Sequence, residues 1–288
     1  MNPKASLEFA SGLLKSPVRR LFRSSKKKVG APPGTLHYTG PERTEPVRVS
    51  LMEYSKEVLK ETPLDSEADF TEIATRDPVT WVNVDGLNDL ELTESIGEGF
   101  GLHPLVLEDL VHTHQRPKIE EYDDYFFVVL RMLTLEDGGA GINSEQVGIV
   151  FGNRWVLSFQ ERAGDVWDPV RERLRGKSGR IRLRGADYLA YALIDAVVDH
   201  YFQILETFAD TVEELEVQVL EDPTSDTMHR IHNLRHEMLL VRRAVWPLRD
   251  LTNGLVRTES SLVAEDTKVF LRDVYDHTVQ VIDTAETL

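Results

Sequence analysis

The sequence predicts an α+β fold in which a mixed β-sheet is followed by long helices. Between about residues 47 and 162, short runs that alternate apolar and polar residues are interleaved with helical segments. From about residue 166 onward, apolar residues recur at helical spacing instead. This change of period indicates that the first part of the chain forms the sheet and the second part forms the long helices.

Five segments are predicted to be β-strands. Residues 47–51 and 79–84 alternate at period two. Residues 125–135, 145–151 and 155–159 follow, joined by short links that contain glycine. Short links favour antiparallel neighbours, so the last three strands predict an antiparallel meander within a mixed sheet. Between these two groups, residues 88–99 and 104–111 are predicted to be helices, the second with proline in its first turn.

The second half of the chain predicts a helical hairpin. An apolar stripe from Leu189 to Val219 indicates one long helix, and residues 222–226 interrupt it. A second stripe, from Met228 to Leu248, alternates spacings of three and four, which is typical of a coiled-coil-like seam. Two long helices joined by a short turn predict an antiparallel hairpin.

A third long helix is predicted from about residue 262 to Leu288. No glycine or proline near its end would cap or stop it. We therefore expect this helix to continue beyond the sequence.

Composition limits the chemistry that the chain can support. Its 288 residues carry a net charge of -16 and include no cysteine, so any metal must be held by oxygen or imidazole. Eight basic residues and Glu8 give residues 1–28 a charge of +7, which leaves -23 on residues 29–288. Such an acidic body attracts cations and disfavours nucleic acid. The longest apolar run, residues 188–194, is far shorter than the roughly 20 residues of a membrane helix.

Residues 1–34 are predicted to form a basic, flexible arm, because they end in a segment rich in glycine and proline. An amphipathic surface helix over residues 13–22 is the alternative. The chain contains no Gly-x-Ser-x-Gly motif, no Walker phosphate loop and no Gly-x-Gly-x-x-Gly after a strand. The sequence therefore predicts that the protein is not an enzyme.

Carboxylates and histidines one helical turn apart are the candidate metal ligands. Glu108 and Asp109 lie in the short helix that starts at Pro104, with His112 and His114 just beyond it. Taken alone, this pattern is more often a solvated helix surface.

The later helices contain a second group of candidates. Asp273 and His277 share a helix face, and a carboxylate beside an imidazole can ligate a hard or borderline cation. On spacing alone, a buried histidine beside an exposed aspartate is the commoner arrangement. Asp195 interrupts an apolar stretch, where a carboxylate requires a partner.

Three histidines lie on one face of the predicted second hairpin helix, at His229, His232 and His236. Their spacing could serve a zinc-type site. We interpret them as incidental members of a polar face, because Glu237 is the one carboxylate close to them in sequence.

Six segments of the chain carry a family resemblance. They are residues 101–110 (GLHPLVLEDL), 114–118 (HQRPK), 165–173 (DVWDPVRER), 186–189 (ADYL), 246–249 (WPLR) and 272–278 (RDVYDHT). Together they resemble the CorA family of magnesium and cobalt channels, and the resemblance runs in one colinear order from about residue 32 to residue 288.

This resemblance implies a specific architecture and assembly. A mixed sheet sandwiched by helices (α/β/α) would span residues 35–183, a long antiparallel helical hairpin residues 184–253, and the start of a stalk helix residues 260–288. The stalk would lead to a membrane region missing from this sequence. The chain would then be the cytoplasmic domain of an inner-membrane protein and would form a homopentamer. It would bind neither nucleic acid nor a small-molecule substrate.

The resemblance also implies a role for the candidate residues. Asp109 of one subunit and Asp273 of its neighbour would bracket a regulatory Mg²⁺, with Co²⁺ or Zn²⁺ as other possible ions. Glu108, Asp195 and His114 would form a second site nearby, and His277 is a further candidate ligand. The Gly-Met-Asn pore signature of the family is absent from the sequence. Bound Mg²⁺ would favour the closed state of the channel.

Two alternatives stay open at this point. The first is the zinc-transporting branch of the same family, which the nine histidines favour slightly. The second is a soluble metal-dependent hydrolase that uses Glu108, Asp109, His112 and His277.

Overall fold

The computed structural model describes residues 32–136, 141–176 and 180–288. The predicted basic arm over residues 1–34 therefore lies almost entirely outside the described residues. So does most of the glycine-rich link at residues 138–141.

The described residues include one seven-stranded mixed sheet. Its strands are β1 (Arg48–Tyr54), β2 (Leu59–Leu64), β3 (Val79–Asp85), β4 (Lys118–Glu121), β5 (Tyr125–Leu135), β6 (Ile142–Gly152) and β7 (Trp155–Gln160). Their order in the sheet is β2-β1-β3-β7-β6-β5-β4. Strands β3 and β7 are parallel, and the other neighbours are antiparallel. The predicted meander of the last three strands is confirmed.

Helices cover both faces of this sheet, which confirms the predicted fold class. Along β5, Phe126 and Val128 belong to one core and Phe127 and Val129 to the other, as the alternation of a strand requires. One face packs against α1 (Phe70–Ala74), α2 (Leu90–Gly99) and α3 (Pro104–Val111). The other packs against α4 (Asp168–Arg175) and the long helices that follow it.

The long helices begin with α5 (Ala186–Glu221), whose 36 residues confirm the predicted length. Helix α6 (Ser225–Val245) returns beside it, and Arg230 donates hydrogen bonds to Gln218 and Glu214 across the hairpin. The prediction of one helix through Leu248 was wrong. Helix α6 ends at Val245 and α7 (Leu248–Arg257) follows Pro247, because proline provides no backbone N–H to continue a helix.

Helix α8 (Glu265–Thr287) closes the described chain and packs against α5 and α7. Its inner face contains Val274, Thr278 and Val281, which are fully buried. Within residues 32–136, 141–176 and 180–288, the helices are too short or too polar to cross a membrane.

Strand β6 determines where the end of α3 lies. A Cβ atom at Gly148 would overlap the Leu110 side chain, so glycine allows α3 to pack closely onto the sheet. Two residues earlier, the buried Gln146 side chain donates to the carbonyl oxygens of Asp109 (2.9 Å) and Leu110 (3.3 Å). Carbonyl groups in the last turn of a helix lack intrahelical partners. The Gln146 side chain therefore satisfies two such acceptors at the end of α3.

We expect Gly148→Ala to lower the free energy of unfolding by about 1–3 kcal/mol, because it overpacks the contact with Leu110. Urea denaturation of the single variants and of Gly148→Ala/Leu110→Ala measures this. The double variant should lose less stability than the sum of the single losses, because the added methyl group occupies space that the shorter side chain leaves. Strictly additive losses would contradict the close contact.

Candidate metal site between two helices

Asp195 and Asp199 lie one turn apart on α5, and His277 faces them from α8. One ligand atom of each side chain lies within 4.8 Å of the other two. Among the residues that the structure describes, no other group of three histidine or carboxylate side chains meets this condition. The fold thus brings together Asp195 and His277, both of which the sequence indicated as candidate ligands.

The packing of the two helices explains this meeting. The Ala264 backbone N–H, just before α8, donates to Asp187 near the start of α5 (3.0 Å). Further along both helices, His277 Nδ1 lies 3.8 Å from Asp199 Oδ1. The helices therefore run in the same direction, and residues on their facing sides stay side by side.

Asp195 is held in a poor environment for a negative charge. Burial raises the pKa of its carboxyl group to about 6, and the negative charge of Asp199 contributes in the same direction. The Tyr191 hydroxyl donates a hydrogen bond to Asp195 Oδ2 (3.3 Å) and offsets this only in part. A bound cation would favour the ionised form that the site disfavours.

The geometry suits one divalent ion. Two ligand atoms that each lie about 2.1 Å from an ion can be at most about 4.2 Å apart, so the 3.8 Å between Asp199 and His277 is compatible with a shared ion. His277 Nδ1 is buried and forms no hydrogen bond within the described chain. The two carboxylates suit Mg²⁺, and the added imidazole also suits borderline ions such as Co²⁺ and Zn²⁺.

The predicted ligands at the end of α3 have other partners. Asp109 accepts hydrogen bonds from Gln115 Nε2 (2.5 Å) and Lys118 Nζ (2.5 Å), and Lys118 also donates to Glu120 (2.5 Å). Burial by itself would lower the pKa of Lys118, but these hydrogen bonds outweigh burial and raise it. Lys118 therefore stays charged and supplies a cation to Asp109 from within the chain.

Three further predicted ligands lie outside the three-residue group. Glu108 Oε2 accepts a hydrogen bond from the Gly34 backbone N–H (2.7 Å). His114 is exposed, and its Nδ1 lies 3.0 Å from the carbonyl oxygen of Thr113. Asp273 is exposed one turn before His277 on α8. The predicted pairing of Asp109 with Asp273 involves two copies of the chain and stays a prediction.

A buried polar network positions the loop that contains His114 and Gln115. Gln146 Oε1 accepts from the Gln115 backbone N–H (2.9 Å), and the Gln146 backbone N–H donates to Glu161 (2.8 Å). Arg131 donates to the carbonyl oxygens of Thr113 (2.8 Å) and Gln115 (3.2 Å). These bonds fix Gln115, and Gln115 in turn orients Asp109.

Sequence reasoning missed two members of these arrangements. Asp199 was not among the predicted ligands, although its spacing of four residues from Asp195 is the signal that would have identified it. Lys118 carries no such signal, because its contact with Asp109 depends on the loop between α3 and β4.

Comparison with known proteins identifies the family. A family model described as "CorA-like Mg2+ transporter protein" matches residues 77–288, which is most of the chain. The chain belongs to the CorA family. This confirms the resemblance that the sequence motifs indicated.

Two similar proteins are consistent with membership of this family. The chain is 45% identical over 268 residues to the cobalt/magnesium transport protein CorA of Thermotoga maritima, covering 92% of this chain and 75% of the relative. It is 31% identical over 206 residues to the putative metal ion transporter YfjQ of Bacillus subtilis, covering 72% of this chain and 63% of the relative. Both relatives are described as transporters, the second as a putative one.

Solved structures show the same fold. The soluble domain of CorA from Methanocaldococcus jannaschii superimposes with a TM-score of 0.69 at 21% identity, covering 83% of this chain and 91% of that one. The cytoplasmic domain of ZntB from Vibrio parahaemolyticus gives a TM-score of 0.64 at 16% identity, with coverage of 83% and 91%. The CorA-family fold therefore extends over most of the described chain.

We expect Asp195→Asn to stabilise the metal-free protein at pH 8 but not at pH 4. The folded-state pKa of about 6 lies above the usual value, so Asp195 contributes less to stability as pH rises through about 4 to 6. The amide removes this cost, which is on the order of 2 kcal/mol after allowance for solvent screening. Urea denaturation in EDTA at both pH values measures the difference. Equal destabilisation at pH 4 and pH 8 would contradict the buried charge.

Proposed function

We propose that this chain is the cation-sensing cytoplasmic domain of a pentameric Mg²⁺ and Co²⁺ channel. Family membership supports the transport role, and the Asp195–Asp199–His277 cluster is the observation that carries the sensing role. In this proposal a divalent ion binds the cluster and favours the closed state of the channel. The ion is a regulator at this site, and it is also the cargo of the complete channel.

The negative charge of the chain supports a role for the ion between subunits. The body of the chain carries -23 over residues 29–288, so copies that approach one another repel. Mg²⁺ keeps much of its water and needs only a few well-placed carboxylates to bind. An ion held between acidic surfaces reduces the repulsion and favours the assembled, closed arrangement.

The second proposed site lies between subunits, with Asp109 of one copy and Asp273 of the next. Asp273 is exposed on α8, and the Asp109 side chain is 25% exposed, so both can be reached from outside the chain. Glu108 and His114 flank Asp109 in the same part of the fold and are proposed to contribute to the neighbouring ion. Asp195 of the helix cluster would lie close to the same interface.

The energy that such sites must supply is modest. Moving a two-state equilibrium from 99:1 to 1:99 requires about 5.5 kcal/mol of differential binding. Five equivalent interfaces would each supply about 1 kcal/mol. A partly exposed carboxylate site can provide this much.

A zinc-transporting role is the second candidate, and His277 is the observation that favours it. Imidazole binds borderline ions such as Zn²⁺ better than it binds Mg²⁺. A relative at 24% identity is described as the zinc transport protein ZntB of Cronobacter sakazakii. The hydrolase alternative gains no such support, because Glu108, Asp109 and His112 do not form a three-ligand group with His277 in the described chain.

We expect Mg²⁺ to raise the melting temperature of the wild type above that in NaCl of equal ionic strength. Asp195→Asn and Asp199→Asn should each lose most of this rise, because each removes a ligand charge. Asp283→Asn is the matched control, since it removes an exposed charge from α8 outside the cluster. Differential scanning fluorimetry gives the comparison. An equal loss in all three variants would show that Mg²⁺ acts by screening alone.

The variant His277→Ala tests which ion the cluster of Asp195, Asp199 and His277 binds. If Mg²⁺ is the physiological ligand, this variant should keep most of its Mg²⁺-dependent rise, because a hard ion gains little from imidazole. The same variant should lose a larger share of the rise produced by Zn²⁺ than of the rise produced by Mg²⁺. Loss of both rises to the same extent would contradict the assignment of the carboxylates as the Mg²⁺ ligands.

The site between subunits predicts non-additive mutations. Asp109→Asn and Asp273→Asn should each reduce the Mg²⁺-dependent association of the chain, and the double variant should lose little more, because two groups that serve one ion are coupled. Sedimentation velocity in MgCl₂ and in NaCl of equal ionic strength measures association. Wild-type association of both single variants would refute the pairing, even if the cluster between α5 and α8 still binds the ion.

A further inference from the structure

Two histidines on the second helix of the hairpin are in direct contact. His232 and His236 lie one turn apart on α6, and their Nε2 atoms are 3.0 Å apart. Their rings are 4.4 Å apart and nearly perpendicular, at 78°. His232 is exposed and His236 is partly buried, so solvent reaches the pair from one side.

The spacing of the two nitrogen atoms matches that of two ligands on one metal ion. Imidazole nitrogen binds Zn²⁺ at about 2.1 Å, and two such ligands at a right angle are about 3.0 Å apart. Histidines four residues apart on a helix are also the arrangement by which helical zinc motifs chelate their ion. In the metal-free protein one Nε2 donates an N–H···N hydrogen bond to the other, and a metal ion that binds both nitrogens replaces this proton.

We propose that His232 and His236 form a bidentate site for a borderline transition-metal cation such as Zn²⁺, Co²⁺ or Ni²⁺. Water molecules complete the coordination on the exposed side. Mg²⁺ does not compete here, because it prefers oxygen ligands. The site is separate from the proposed Mg²⁺ cluster, which combines two carboxylates with one imidazole.

Neighbouring side chains define which residues take part. Glu237 accepts a hydrogen bond from the Ile142 backbone N–H (3.1 Å), so it is engaged with the sheet. The Arg230 guanidinium is engaged with Glu214 and Gln218 of α5. In this proposal the pair takes the place of the three-histidine cluster considered from the sequence, and His229 stays an incidental member of the polar face.

The consequence for function is a second class of ion on the same chain. The hairpin would respond to transition metals, whereas the cluster between α5 and α8 would respond to Mg²⁺. The hairpin site uses no residue of that cluster. The proposal of a transition-metal site can therefore be tested independently of the proposed sensing role.

The test uses Co²⁺ as a spectroscopic probe on the full 288-residue chain. All proteins carry Asp195→Asn and His277→Gln, so that the carboxylate cluster does not contribute. In this background we expect a Co²⁺ absorption band that saturates at one equivalent. His232→Gln and His236→Gln should each weaken Co²⁺ binding at least tenfold, because one imidazole cannot chelate.

His229→Gln is the matched control, since His229 is exposed on the same helix and lies outside the pair. It should leave Co²⁺ binding within twofold of the background protein, and a large excess of Mg²⁺ should not displace the Co²⁺. Circular dichroism without metal checks that each variant is helical. Unchanged binding in His232→Gln and His236→Gln, or an equal loss in His229→Gln, would overturn the proposal.

Discussion

The packing of α8 along α5 is the contact on which the candidate site depends. Val274 and Val281 of α8 are fully buried, and the Phe270 ring contacts those of Tyr188 and Tyr191 on α5. Apolar burial of this kind fixes the rotation of α8 about its axis. With the rotation fixed, His277 faces Asp199 and Asp273 points outward.

The same packing explains why the site stores unfavourable electrostatic energy. Burial raises the pKa of Asp195 and the nearby Asp199 acts in the same direction, whereas His277 and Arg173 offset this only in part. Like charges in a partly buried place destabilise the folded chain until something neutralises them. A bound divalent cation would neutralise these charges more fully, and it would therefore stabilise the folded chain.

Much of the fold could be predicted from the sequence, and the exceptions have physical reasons. The central strands show clear periodicity because the core buries them, whereas β2 and β4 were missed. Both are edge strands, with the sequences LKETPL and KIEE, and edges favour charged residues and proline over an apolar pattern. The division at Pro247 was missed because the apolar spacing continues across it.

The site could be predicted only in part, because Asp195 and Asp199 lie far from His277 in the sequence. Asp195 was recognisable as a carboxylate within an apolar helix, and His277 as one half of a helical pair. Nothing in the local sequence indicates that α5 and α8 run parallel, and that arrangement is what joins Asp199 to His277. The histidine pair on α6 needed no such tertiary information, but spacing alone did not distinguish His232 and His236 from His229.

The two carboxylate regions differ in whether a lysine of the chain already binds them. Lys118 lies 2.5 Å from Asp109 and 2.5 Å from Glu120, so an ammonium group occupies the position where an ion would bind. Any ion bound to Asp109 must replace or share that contact, which reduces the net gain. The cluster of Asp195, Asp199 and His277 has no lysine or arginine within ion-pair distance among the described residues. In the proposed function an ion would therefore gain more at this cluster, and we expect binding there to precede binding at the proposed site between subunits as the Mg²⁺ concentration rises.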